Sequence, residues 1–182
     1  MEDKIQQLVE RSNKESKENE RKNGMEINRF RGGGKVPLVI SFTENCKRSH
    51  EDLMREFTDS YDSLVMKNSR DIPQIHQIYS EVFLVFVDFN ERNIILEGDR
   101  EPQQIRKETV EYIRNMGRTA VVIYHLHPDS GTLEDGRLYS RKLTSIEYHP
   151  TLKQLSSRDC VLSIYRQFSE DQKARLKDIC DL

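Results

Sequence analysis

At 182 residues, with 29 lysines and arginines against 31 aspartates and glutamates and a net charge of -2, the chain has room for one ordinary domain or two small ones. It carries no global basicity of the kind that marks a dedicated nucleic-acid binder. Cys46, Cys160 and Cys180 are odd in number and far apart, which argues against a disulfide framework, and with no apolar run near the ~20 residues of a membrane span and no secretory signal pattern the expectation is an intracellular protein, cytoplasmic or nuclear, without membrane attachment.

Residues 1–24 are mostly Lys, Glu, Arg, Asn, Ser and Gln, with Ile5, Leu8 and Val9 as the aliphatics, and too little apolar side chain is present there to offset the entropy of ordering. The run Arg29-Phe30-Arg31-Gly32-Gly33-Gly34-Lys35 reads in two ways. Three cations and an aromatic on flexible glycines suit adaptable contact with RNA, and the same glycines suit a plain hinge. Residues 1–34 are therefore expected to be a polar, disordered tail ending in a glycine hinge.

Val36–Phe42 reads as a strand, and Ser49 as the cap of a helix through Phe57 with Leu53, Met54 and Phe57 inward. Ile72, Ile75, Ile78 and Tyr79 recur at helical spacing with Pro73 in the first turn, predicting a short amphipathic helix from about Asp71 to Ser80. Val82–Phe89 is strand-like, Asn90–Asn93 is polar enough to turn, and Ile94-Ile95-Leu96 would return antiparallel to it. Pro102 opens a helix with Ile105, Thr109, Tyr112, Ile113 and Met116 on one face and Gly117 as its stop. Beyond it, Ala120–Leu126, Leu143–Tyr148 and Cys160–Tyr165 read as strands. Asp135-Gly136 is a hairpin signal, and Ser169 caps a last helix that buries Ala174, Leu176 and Ile179.

The order helix, strand, strand, helix, with a tight loop ahead of its first helix, resembles a K-homology (KH) module of the vigilin-like kind. Leu64 and Val65 match the aliphatic end of that module's preceding helix. Met66 and Ser69 stand at the two glycines of its Gly-x-x-Gly loop, and Ile72 and Ile75 match its second helix. Phe83–Asp88, Ile94–Gly98 and Pro102–Met116 match the strand pair and the final helix. The resemblance implies an α+β protein: a KH-like module over residues 35–117, with helices packed on a small, mostly antiparallel sheet, then a C-terminal α/β extension, residues 118–182, as a second small unit or a cover for the sheet.

The resemblance also implies RNA or single-stranded nucleic acid as ligand, contacted by Lys67, Asn68, Ser69 and Arg70 in the loop and by Arg29, Arg31 and Lys35 in the arm. Met66 and Ser69 lack the freedom with which glycine lets phosphates approach, while a helix N-terminus beside Lys67 and Arg70 still favours an anion. The alternative is a protein-interaction or oligomerisation scaffold that keeps the fold without binding nucleic acid. In Val82–Phe89, Phe83, Val85, Val87 and Phe89 face one way and Leu84 and Phe86 the other, so the strand is either covered on both faces or presents one face to a partner.

His125-x-His127-x-Asp129 would place two imidazoles and a carboxylate on one side of a strand, the pattern of a metal site, although two polar histidines near a strand end are also expected without one. Cys46 and His50 have nucleophile-and-base spacing and no visible orienting partner. The triple glycine lacks the Lys-Ser/Thr of a phosphate loop. No acid and base pair emerges, so the expectation is a non-enzyme with no metal and no cofactor.

Overall fold

Beginning at Leu38, strands and helical segments alternate along the chain, which is the pattern of a parallel sheet with crossover connections. A computed structural model describes residues 36–89 and 103–181. Strand β1 (Leu38–Ser41) leads into helix α1 (Glu44–Met54), then β2 (Asp62–Val65), a 3-10 helix (Ser69–Gln77) and β3 (Val82–Asp88). Helix α2 (Gln103–Asn115) precedes β4 (Thr119–His125), a 3-10 turn (Pro128–Ser130), helices α3 (Ser145–Tyr148) and α4 (Pro150–Ser156), β5 (Val161–Ser163) and helix α5 (Glu170–Cys180).

Among the described residues the strands form a single five-stranded sheet in the order β2-β1-β3-β4-β5, and every pairing is parallel. This corrects the fold expectation. The mostly antiparallel KH-like sheet is replaced by an all-parallel, doubly wound α/β sheet, in which Val82–Asp88 is a central strand between β1 and β4. The physical reason lies in the strand itself, because all seven residues of β3 are buried. A strand apolar on both faces belongs in the middle of a parallel sheet with helices on either side. The expected partner Ile94–Leu96, like Arg29, Arg31 and Lys35, lies outside the described residues.

Other expectations change with the sheet. Leu64 and Val65, matched to a helix end, belong to β2, whose four residues are too few to show a period. Ser49 lies inside α1, whose cap is Thr43, accepting a hydrogen bond from the Cys46 amide. Leu143–Tyr148 is not a strand, since Ser145–Tyr148 is helical. Asp135-Gly136 does turn the chain, with Gly136 at φ +75°, but no strand flanks it; its amide donates to Asp171 Oδ2 of α5 at 2.7 Å. Residues 118–182 supply β4 and β5 to the same sheet as β1 and β3.

Local chemistry explains the element ends that match. At the end of α2, the amide of Gly117 donates to Arg114 and that of Arg118 to Ile113. Gly117 sits at φ +75°, and this pair of bonds with a left-handed residue is a Schellman stop. Ser169 and Gln172 form a reciprocal capping box at the start of α5. Helix α1 packs on β1 and β2, α2 on β3, β4 and the first 3-10 helix, and α4 on β4 and β5. No helix among the described residues is long and apolar enough to cross a membrane.

Candidate functional site

In an open α/β sheet, ligands bind outside the carboxyl ends of the strands, at the point where the strand order reverses. Here that point lies between β1 and β3, and polar side chains terminate the strands around it. Ser41 ends β1, Asp88 ends β3 and His125 ends β4, while His50 reaches the same edge from α1. All four are buried, with exposures of 0%, 5%, 3% and 0% for Ser41, Asp88, His125 and His50. Four polar groups so completely removed from water must satisfy one another.

They do so through Asp88. His50 Nε2 lies 3.1 Å and His125 Nδ1 2.7 Å from the same Oδ1 of Asp88, while His50 Nδ1 lies 2.8 Å from Ser41 Oγ. An ionised carboxylate only accepts, so both imidazoles donate to it; in neutral His50 the other nitrogen then accepts from the Ser41 hydroxyl. Register places the third member, because Asp88 and His125 are direct partners in the β3–β4 ladder. The His50 ring is held by stacking on Phe86, centroids 4.3 Å apart and planes 17° apart.

Burial alone would raise the Asp88 carboxyl, but the hydrogen bonds from His125 and His50, with their charges, outweigh it and hold the group well below the usual carboxylate range. Burial lowers His50 against the opposing pull of Asp88. Arg106, 1% exposed, is lowered by burial and raised by Asp88 and Cys46, and its guanidinium lies 5.4 Å from the Phe42 ring centre. An acid and a base of opposite charge thus share one dry edge, which lessens the desolvation cost of each.

Cys46 and His50 do face one site, and Asp88 is the orienting partner that spacing could not reveal. The Cys46 thiol, however, is raised chiefly by burial, with Asp88 adding to the rise, which is opposite to the depressed value of an activated nucleophile. The His125, His127 and Asp129 constellation is split. Leu126 adopts φ 61°, so strand alternation fails between the two histidines. His127 Nδ1 lies 3.0 Å from Ser130 Oγ, which donates to Ser163 Oγ at 2.6 Å, and Asp129 pairs with Lys142 at 2.6 Å.

The loop from Lys67 to Arg70 lies after β2. The Asp71 carboxylate accepts from the amides of Lys67 and Asn68 at 2.9 and 3.0 Å, and Asn68 caps the 3-10 helix by accepting from Arg70. Lys67 Nζ is 3.0 Å from Glu44, and Arg70 is exposed while Ser69 is half-buried. An internal carboxylate therefore occupies the amides that an incoming phosphate would use. Met66, at a loop-glycine position of the resemblance, is fully buried at 0% exposure.

Sequence reading missed Asp88 and, pairing His50 only with Cys46, found no orienting partner for it. The available signal was a carboxylate closing an otherwise wholly apolar strand, Val-Phe-Leu-Val-Phe-Val-Asp, a placement that a parallel sheet reserves for its ligand edge. Comparison with protein-family models and with curated proteins finds no match to this chain.

Proposed function

We propose that this chain is a divalent-metal-binding α/β protein that holds a single ion of the zinc class between His50, Asp88 and His125. One observation carries this. Two imidazole nitrogens and a carboxylate oxygen, delivered by α1, β3 and β4, lie within 4.8 Å of one another at the carboxyl edge of the sheet. Nitrogen and oxygen donors of this kind suit zinc, whose bonds of about 2.0–2.2 Å set neighbouring tetrahedral donors about 3.2–3.5 Å apart. To reach that spacing the 3.1 Å contact opens by about 0.1–0.4 Å and the 2.7 Å contact by about 0.5–0.8 Å, while the widest donor separation, up to 4.8 Å, closes by about 1.3–1.6 Å.

Each ring would hold the ion through the nitrogen that now donates to Asp88, its proton carried instead on the other ring nitrogen; an imidazolium cannot ligate, so uptake would weaken on acidification. Ser41 would orient His50 from the outer shell. Three protein donors leave a fourth position for water, the arrangement in which zinc acts as a Lewis acid. The nucleic-acid and scaffold expectations, by contrast, were drawn from an antiparallel module that the described sheet replaces.

The test is calorimetric titration of chelator-stripped protein with zinc, alongside the visible absorption of the cobalt-substituted form. One ion per chain with a tetrahedral cobalt spectrum is expected. His125→Gln and Asp88→Asn should abolish both signals, and Ser41→Ala should weaken zinc binding about 10- to 100-fold. Stripped protein that takes up no zinc, or folded variants that retain full affinity, would reduce the cluster to a structural hydrogen-bond relay.

A further inference from the structure

At the opposite end of the sheet, beneath the start of β4, lies a cavity of about 760 Å³ whose lining includes Arg114, Arg118, Arg158 and Arg175 together with one carboxylate, Glu111. The four cations come from α2, the turn after it, the turn before β5, and α5. The whole chain carries a net charge of -2, so this concentration does not follow from general basicity.

What the guanidiniums bond to matters more than their number. Arg114 donates to the side-chain oxygen of Gln154, and Arg175 donates to the carbonyls of Arg158 and Asp159 at 2.7 and 3.3 Å. Those acceptors are uncharged: they orient the guanidiniums without neutralising them. Among the described residues Arg118 alone of the four has an ion-pair partner, Glu81 at 3.1 Å. Asp159, at φ 54°, belongs to the turn that presents these carbonyls, and Arg158 is exposed.

We infer that this cavity binds a small polyphosphorylated anion. Its volume is within the range of about 300–1,000 Å³ typical of small-ligand sites. Arginine forks match phosphate oxygens in pairs, which lysine cannot do. One effect opposes the anion, since the carboxyl end of α2 borders the cavity and its dipole is equivalent to about half a negative charge. With Glu111 and the Glu81 paired to Arg118 both counted, about two and a half negative charges face four positive ones, and the cations prevail. Apolar Ala120, Leu155 and Ile179 supply part of the lining and help exclude water from the contacts.

The inference does not depend on the metal centre, and the test keeps the two apart by using full-length protein in excess chelator. Inorganic tripolyphosphate is titrated calorimetrically at low and moderate salt. Saturable binding that weakens with salt is expected, with a loss of about tenfold or more in Arg158→Gln and in Arg114→Gln. Arg158 is exposed, so its variant should remain folded; circular dichroism checks both variants. Lys142→Ala, on a separate surface, should bind as the parent does. No binding at low salt, affinity unchanged in both folded arginine variants, or binding of single-stranded RNA without binding of tripolyphosphate overturns the assignment.

Discussion

Replacing Asp88 by alanine tests whether the carboxyl edge is held by the network centred on that residue. The substitution leaves the Nε2 proton of His50 and the Nδ1 proton of His125 without an acceptor, inside a site where both rings are almost wholly buried. Each unsatisfied buried donor costs about 1–3 kcal/mol, and Arg106 loses a counter-charge that acts on it. Breaking a buried charged pair from one side costs about 3–5 kcal/mol, so a loss of about 4 kcal/mol is expected, a large part of a typical folding free energy of about 5–15 kcal/mol. Asp88→Asn keeps the volume and one acceptor oxygen and should lose about 1–3 kcal/mol. Urea unfolding of chelator-stripped protein, followed by circular dichroism with slopes compared between variants, measures both. The differences should persist in about 1 M salt, which screens exposed charges but not buried ones. An alanine variant within about 1 kcal/mol of the parent would refute the network.

Three further outcomes follow from other parts of the chain. Cys180 in α5 is pushed up by burial to about 12 from an ordinary 9.0, so its contribution is fully present below pH 9.0 and is lost as pH rises toward 12. Stability should fall by about 1.4 kcal/mol per pH unit across that window, and Cys180→Ala should flatten the decline in alkaline urea melts. Leu126→Gly removes the side chain that makes φ 61° costly, and a gain of about 1 kcal/mol in thermal unfolding is expected; a loss would mean that its partial burial matters more than the strain. Ser169→Ala breaks the capping box of α5 and should cost about 1 kcal/mol, read in the same melts.

The elements whose signals are local were legible before any coordinates. Gly117 as a helix stop and Ser169 as a cap need only their immediate neighbours, and both do what their chemistry predicts. The two-sided apolar run of β3 was equally visible, and with it the choice between a covered strand and a contact face. What misled was the step from element order to pairing. Leu64 and Val65 fit a helix end as well as a four-residue strand, and the order helix, strand, strand, helix pairs β3 with the segment that follows it, although its true neighbours, β1 and β4, also read as strands. The ligand site suffered in the same way. His125 and His127 looked paired because strands alternate, and a single left-handed residue, Leu126, separates them.

Composition, apolar patterning and capping residues by themselves determined that this chain mixes helices and strands around a buried core and where several of those elements begin and end, because those signals act over a few residues. Only the tertiary structure decided that the strands run parallel and that Ser41, His50, Asp88 and His125 meet. His50 and Asp88 are 38 residues apart in the chain, and Asp88 and His125 are 37 apart. Contacts at that separation are set by which strand lies beside which, a choice made by the burial of whole faces, and no local period records it.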